Sequence, residues 1–137
     1  MSKVKRKLTT ILATDCVGFS KRMDENEELT LENLKACRSI IDPQIKEFGG
    51  RIFYTAGDSV IAEFESPVEC VNAAIGFQKA INDRNNTLSE ESQLDWRVGI
   101  HLDDVIIEGD NVYGNGVNIA ARLETCLLYT SDAADDV

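Results

Sequence analysis

Two aspartates stand where the local sequence displays a carboxylate. Asp15 lies in Thr14-Asp15-Cys16-Val17-Gly18-Phe19-Ser20, at the end of an aliphatic, threonine-rich run. The glycine-containing turn that follows carries backbone N–H groups suited to a phosphate. Asp58 lies in Ala56-Gly57-Asp58-Ser59, between two β-prone runs, where a hairpin would present it near its tip. Two spaced carboxylates suit hard divalent cations, which prefer oxygen ligands. Taken singly, each motif is explained as well by less: the first as a helix cap with a solvated aspartate, the second as an ordinary Gly-Asp turn. Asn118 and Arg122, four apart, share one face of a predicted helix and can reach one ligand, although a solvated polar stripe would look the same. The order is what raises the odds: strand-end Asp15, hairpin Asp58, then Arg97-Val98-Gly99-Ile100-His101, then Val112-Tyr113-Gly114 with Val117, Asn118 and Arg122. Together they gather the parts of a site for a divalent cation and phosphate.

The elements that must position these residues follow from pattern and punctuation. Leu8 to Asp15 suits a buried strand that delivers Asp15 to an edge or cleft. From about Glu27 to Phe48, Leu31, Leu34, Ile41, Ile45 and Phe48 recur at helical intervals. A kink is expected at Pro43 and a stop at Gly49-Gly50. Arg51 to Thr55 and Ser59 to Phe64 form the hairpin around Asp58. Ser66-Pro67-Val68-Glu69 then opens a second helix, with Val71, Ile75 and Ile81 as core-facing candidates. After a polar loop over Asn82 to Ser92, Trp96, Val98, Ile100 and Leu102 alternate with Arg97, Gly99, His101 and Asp103, so one strand face is core and the other polar. Val105 to Ile107 reads as a separate short strand, Glu108 to Asn115 as a loop or hairpin, and Gly116 onward as a last helix. The order β-α-β-β-α-β-β-α fits an α+β fold with a ferredoxin-like βαββαβ core. Helices would cover one face of an antiparallel sheet. The other face, with Arg97 and His101, is left to bind something.

The chain has 137 residues, 43% apolar and 28% charged, the balance of one globular domain with enough material for a core. Its formal charge of −10 argues against a nucleic-acid polyanion, whose capture depends on basic side chains releasing counterions. A small triphosphate carried with cations is not excluded by that charge. No apolar run approaches a bilayer span, and the basic start from Ser2 to Lys7 leads into no signal-peptide core, so a cytoplasmic location is expected. Cys16, Cys37, Cys70 and Cys126 lack the spacing of zinc sites or disulfide scaffolds and read as reduced, partly buried thiols. Cys16 has no sequence-neighbouring histidine to activate it, and His101, the only histidine, reads as structural.

The helical period stops abruptly after Thr125. A choice of codons for Cys126 to Asp135 reproduces a transposon-end adapter used in preparing sequencing libraries. Residues 126–137 therefore read as translated adapter, with the natural end of the domain expected to be missing. Residues 1–7 read as a basic N-terminal segment, and 8–125 as the domain proper.

Over Leu8 to Thr125 these motifs closely resemble the class III adenylate/guanylate cyclase catalytic domain, bacterial members above all. The resemblance implies a head-to-tail homodimer with two composite sites in the groove between the uncovered sheet faces. It assigns Asp15 and Asp58, with the backbone carbonyl of Cys16, to two Mg²⁺ or Mn²⁺ ions. It gives Gly18, Phe19, Ser20 and Arg97 to the β- and γ-phosphates, and Asn118 and Arg122 of the partner to the ribose and the transition state. The expected reaction is conversion of ATP to 3′,5′-cyclic AMP and pyrophosphate, as one module of a longer protein with regulatory domains.

Three features depart from that pattern. The places that usually read adenine, a lysine and an aspartate, hold Tyr54 and Asn111, and the pair typical of guanylate cyclases is absent too. Both side chains can donate and accept, so ATP is the expected substrate and GTP the alternative. Asp103 replaces a customary glycine on the polar strand face, and a phosphate-contacting lysine of the family lies past the end of this chain. These departures motivate a rival, a degenerate cyclase-homology domain that binds nucleotide or dimerises without turnover. An RNA-binding module of similar fold is disfavoured by the absent aromatic signature and the acidic charge. A diguanylate cyclase is disfavoured by the turn Ala56-Gly57-Asp58-Ser59-Val60.

Overall fold

The computed structural model describes residues 4–108 and 111–113. Five strands form one antiparallel sheet in the order β2-β3-β1-β4-β5. They are β1 (Val4–Cys16), β2 (Arg51–Ala56), β3 (Ser59–Phe64), β4 (Trp96–Glu108) and β5 (Asn111–Tyr113). The first four, in the order β2-β3-β1-β4, make the expected ferredoxin-like core. Among the described residues, three α-helices accompany them: α1 (Phe19–Glu25), α2 (Glu27–Glu47) and α3 (Pro67–Asn85).

Local chemistry sets the helix ends. Ser66 Oγ accepts the Glu69 N–H at 3.2 Å with Pro67 at the first helical position, as its sequence predicts. Asn26 caps α2 through Leu29 N–H at 3.1 Å. At the other end of α2, Gly49 takes φ 82°, Gly49 N–H bonds Lys46 O, and Gly50 N–H bonds Ile45 O. This double closure satisfies carbonyls the helix would otherwise leave open. Gly50 has a second reason to be glycine: a Cβ there would lie 2.5 Å from the Phe64 ring. Pro43 sits inside α2, whose assignment runs through it.

The main core lies between the sheet and the helices α2 and α3, with Leu12, Ile41, Ile45, Phe64, Phe77 and Trp96 nearly or fully buried. Burying a side chain of this size stabilises by about 1.5–3 kcal/mol. A second, smaller cluster of Ile11, Ala13, Ile61 and Val105, with Phe53 against it, sits on the opposite sheet face.

Several expectations need correction. Val71 and Ile75 do not face the core: they are 43% and 61% exposed, while Cys70, Ala73, Ala74, Phe77 and Ile81 are buried. The inner stripe mixes the small Cys70, Ala73 and Ala74 with Phe77 and Ile81, and Val71 and Ile75 fall on the outer stripe. Leu31 on α2 is likewise exposed, and Thr30, Asn33 and Cys37 share the inner face instead. Residues 96–102 and 105–107 form one 13-residue strand, β4, because it pairs along the whole of β1. Its far part outruns the helices, which leaves Leu102 half exposed rather than core. β1 begins at Val4, so residues 4–7 are part of that strand. The polar loop begins only after Asn85, where α3 ends, and α1 was not expected. The last predicted helix and the segment 126–137 lie outside the described residues.

Candidate functional site

β1 is the central strand that carries Asp15 and Cys16 to one end of the sheet. Its register sets Asp15 directly opposite Arg97 and Cys16 opposite Trp96 on β4, with Thr14 opposite Val60 on β3. Side chains of opposite residues share a face. Arg97 accordingly closes on Asp15 with two hydrogen bonds, Nε to Oδ1 and Nη2 to Oδ2, the latter at 3.0 Å. Only 12% of the Asp15 side chain and 20% of the Arg97 side chain reach solvent.

Asp58 comes from the two-residue turn between β2 and β3, where Gly57 adopts φ 58°, a left-handed conformation that glycine takes without strain. The hairpin folds Asp58 back so that its Oδ2 accepts the backbone N–H of Cys16 at 2.8 Å. It is thus partly enclosed rather than displayed on an open tip. Burial, first of all, pushes the Asp58 carboxyl above its ordinary value; the negative charge of Asp15 adds to this, while the Cys16 N–H and Arg97 oppose it. Two carboxylates from separate elements therefore converge on one backbone unit, Asp15-Cys16.

After Cys16 the ladder continues with Val17 N–H to Asp95 O at 2.8 Å, and Gly18 at φ 63° turns the chain into α1. Gly18 and Ser20 are exposed, whereas Phe19 is partly buried and packs against the main core. The Cys16 thiol is buried and its pKa is pushed up to about 12, by burial first and then by Asp58, Cys37 and Asp15. Burial thus disfavours the thiolate, which argues against a nucleophilic role for this residue. Cys37 and Cys70 are also buried free thiols, and Cys126 lies outside the described residues.

Tyr54 is placed by a feature the sequence did not announce. The β2–β3 register slips between Ile52 and Tyr54, a bulge that sets Tyr54 opposite Ile61 on the face away from the helices. Tyr54 is 52% exposed there. Asn111 pairs with Glu108 at the β4–β5 turn, and Asp103 lies opposite Thr9 on β4. His101 is partly buried, opposite Ile11, two rows from Arg97. Asn118 and Arg122 lie outside the described residues.

The donor set suits a hard cation. Asp15, Asp58 and the Cys16 carbonyl offer only oxygen, and each Asp15 oxygen keeps a lone pair beyond the one that meets Arg97. Among the described residues no three His, Cys, Asp or Glu side chains gather as a self-sufficient metal site. Water and a bound anion are natural further ligands. Such sharing is typical of Mg²⁺ with phosphates.

The described residues include no helix long and apolar enough to cross a membrane. Residues 2–129 match the family described as the adenylate and guanylate cyclase catalytic domain, a span that reaches beyond the expected 8–125 at both ends. A Rhizobium meliloti (strain 1021) protein provisionally named adenylate cyclase 3 is 38% identical over 122 residues, 88% of this chain and 21% of its own length. The chain therefore spans about a fifth of that relative. The solved adenylate/guanylate cyclase/hydrolase from Silicibacter pomeroyi is 34% identical, with a TM-score of 0.83 over 90% of this chain and 73% of that one. The guanylyl cyclase Cya2, 23% identical, shares the fold at a TM-score of 0.78 over 91% and 72% of the two chains. On fold and these similarities, the chain belongs to the adenylate and guanylate cyclase catalytic domain family.

Proposed function

We propose that this domain is an adenylate cyclase that converts ATP to 3′,5′-cyclic AMP and pyrophosphate within a head-to-tail homodimer. The observation that carries the reading is the docking of Asp58 on the N–H of Cys16, which brings the hairpin carboxylate to the strand end that bears Asp15. Asp15, Asp58 and the Cys16 carbonyl would hold two Mg²⁺ or Mn²⁺ ions. When bound, these ions supply the positive charge that eases ionisation of the ribose 3′-hydroxyl and offsets charge on the α-phosphate.

The chain's own groups do the positioning. Arg97 and the turn Gly18-Phe19-Ser20 would steady the β- and γ-phosphates, with Asn118 of the partner orienting the ribose and Arg122 of the partner facing the transition-state charge. Tyr54 and Asn111 would read the base through groups that donate and accept. The 3′-oxygen forms a bond to the α-phosphorus, the bond to the bridging oxygen breaks, pyrophosphate leaves, and the hydroxyl proton passes to solvent. As a module covering 21% of its relative, the domain would work in a longer cytoplasmic signalling protein.

The test is cyclic nucleotide formation from ATP, and separately from GTP, with Mn²⁺ and the longest natural reading frame that contains this chain. Cyclic AMP at no more than the level of an Asp58→Asn control overturns the proposal. Cyclic GMP alone would reassign the substrate. Tight ATP binding without turnover would favour the degenerate reading that Tyr54 and Asn111 motivate.

A further inference from the structure

Asp15 and Arg97 are opposite residues on neighbouring strands, and the guanidinium meets both carboxylate oxygens. Two-point contacts of this kind are directional and among the stronger hydrogen-bonded pairs, the more so where water is largely kept out. Asp58 is held differently, by the neutral N–H of Cys16. The two carboxylates are therefore unequal toward an incoming cation. At Asp15 the cation meets a guanidinium that the chain itself supplies, and the repulsion between two positive groups on one carboxylate is only partly offset by the Asp58 carboxylate nearby.

We infer that Arg97 is a counter-charge shared between two ligands: it holds Asp15 in place before a divalent cation arrives, and the polyphosphate of a nucleoside triphosphate then draws it away. Cation and triphosphate binding are in consequence coupled through this side chain, in addition to any direct contact between cation and phosphate. The coupling is reciprocal, since each ligand must raise the affinity of the other by the same factor. The inference rests on the proposed function of the same site.

Mn²⁺ binding to the full chain, read by the loss of the free-ion EPR signal, tests it together with calorimetric binding of 3′-deoxy-ATP with and without Mn²⁺. That nucleotide lacks the attacking hydroxyl, so no turnover intervenes. Arg97→Gln is expected to bind Mn²⁺ alone about tenfold more tightly than the wild type, within the usual range of site-to-site couplings. It should also lose part of the gain in 3′-deoxy-ATP affinity that Mn²⁺ gives the wild type. Arg97→Lys keeps the charge but not the planar fork, and is expected to tighten Mn²⁺ alone by a smaller factor.

Unchanged or weaker Mn²⁺ affinity in both variants, with wild-type circular dichroism, overturns the inference while the proposed function stands. So does tightening in Arg97→Lys as large as that in Arg97→Gln, since a retained charge must still oppose the cation. Should Arg97→Gln fail to fold, Arg97→Lys alone decides. A wild type that takes up Mn²⁺ neither alone nor with 3′-deoxy-ATP overturns both the site reading and the inference.

Discussion

The carboxylate end of β1 and the bulged edge of β2, which the proposed function assigns to one site, are built on opposite plans. Asp15 is 9% exposed on the central strand, with both oxygens engaged, and Asp58 is pinned to the next backbone N–H. Tyr54 stands on an edge strand, about half exposed, at a position set by a bulge. The difference teaches a division of labour. Groups that meet concentrated charge need fixed geometry and little water, which one chain can provide from its own centre. A group that reads a base can wait at an edge, where a second chain has room to approach.

The largest expected effect tests the rigid half. Asp15→Asn should lower cyclic AMP formation by more than about a hundredfold, beyond the usual cost of losing an outer-shell partner of a metal. A variant within tenfold of wild type in kcat/KM would break the comparison.

The open half should respond more gently and in specificity. Tyr54→Lys, which installs the residue common in adenylate cyclases, is expected to shift the ATP-to-GTP ratio of kcat/KM by about tenfold. Its melting temperature should hold, since the side chain is half exposed. A collapse of both activities would mean that the edge is as constrained as the centre.

Cys16 separates backbone from side chain. Its N–H and carbonyl survive in Cys16→Ala, so turnover should persist while loss of the buried sulfur costs about 1–2 kcal/mol in denaturant unfolding. With the thiol pKa near 12, the folded wild type should resist alkylation at this residue at pH 8.

The smallest effect concerns stability and pH. Burial raises the folded pKa of Asp58, so the folded state holds its proton more tightly than the unfolded chain does. Its carboxylate therefore weakens the fold at neutral pH, and that penalty fades as pH falls through the folded pKa and is gone below the unfolded value near 3.8. Asp58→Asn should melt slightly above wild type at pH 7, with the gap closing on acidification. A lower melting temperature at pH 7 would show that the Cys16 contact outweighs burial.

Much of this was legible from local sequence. The caps at Ser66 and the stop at Gly49-Gly50, the hairpin around Gly57-Asp58 and the inward Trp96 each depend on a few neighbouring residues. Their chemistry acts over one or two turns of chain. Hydrophobic pattern alone misread α3, because Val71 and Ile75 look more like core than Ala73 and Ala74 do. Which stripe turns inward depends on how closely the sheet lets the helix approach, and no window of helix sequence contains that distance.

The sequence by itself determined the inventory: two displayed aspartates, a following arginine strand, and the alternation of strands and helices that allows one antiparallel sheet. Only the tertiary structure decided which of these groups meet. Asp58 reaches Cys16 across 42 residues and Arg97 reaches Asp15 across 82. Both contacts follow from strand register, which hydrogen bonds along all of β1 fix collectively. A shift of one residue would turn Asp15 to the other face of the sheet. Local propensity names the residues able to bind charge, and pairing over such separations is what makes them a single site.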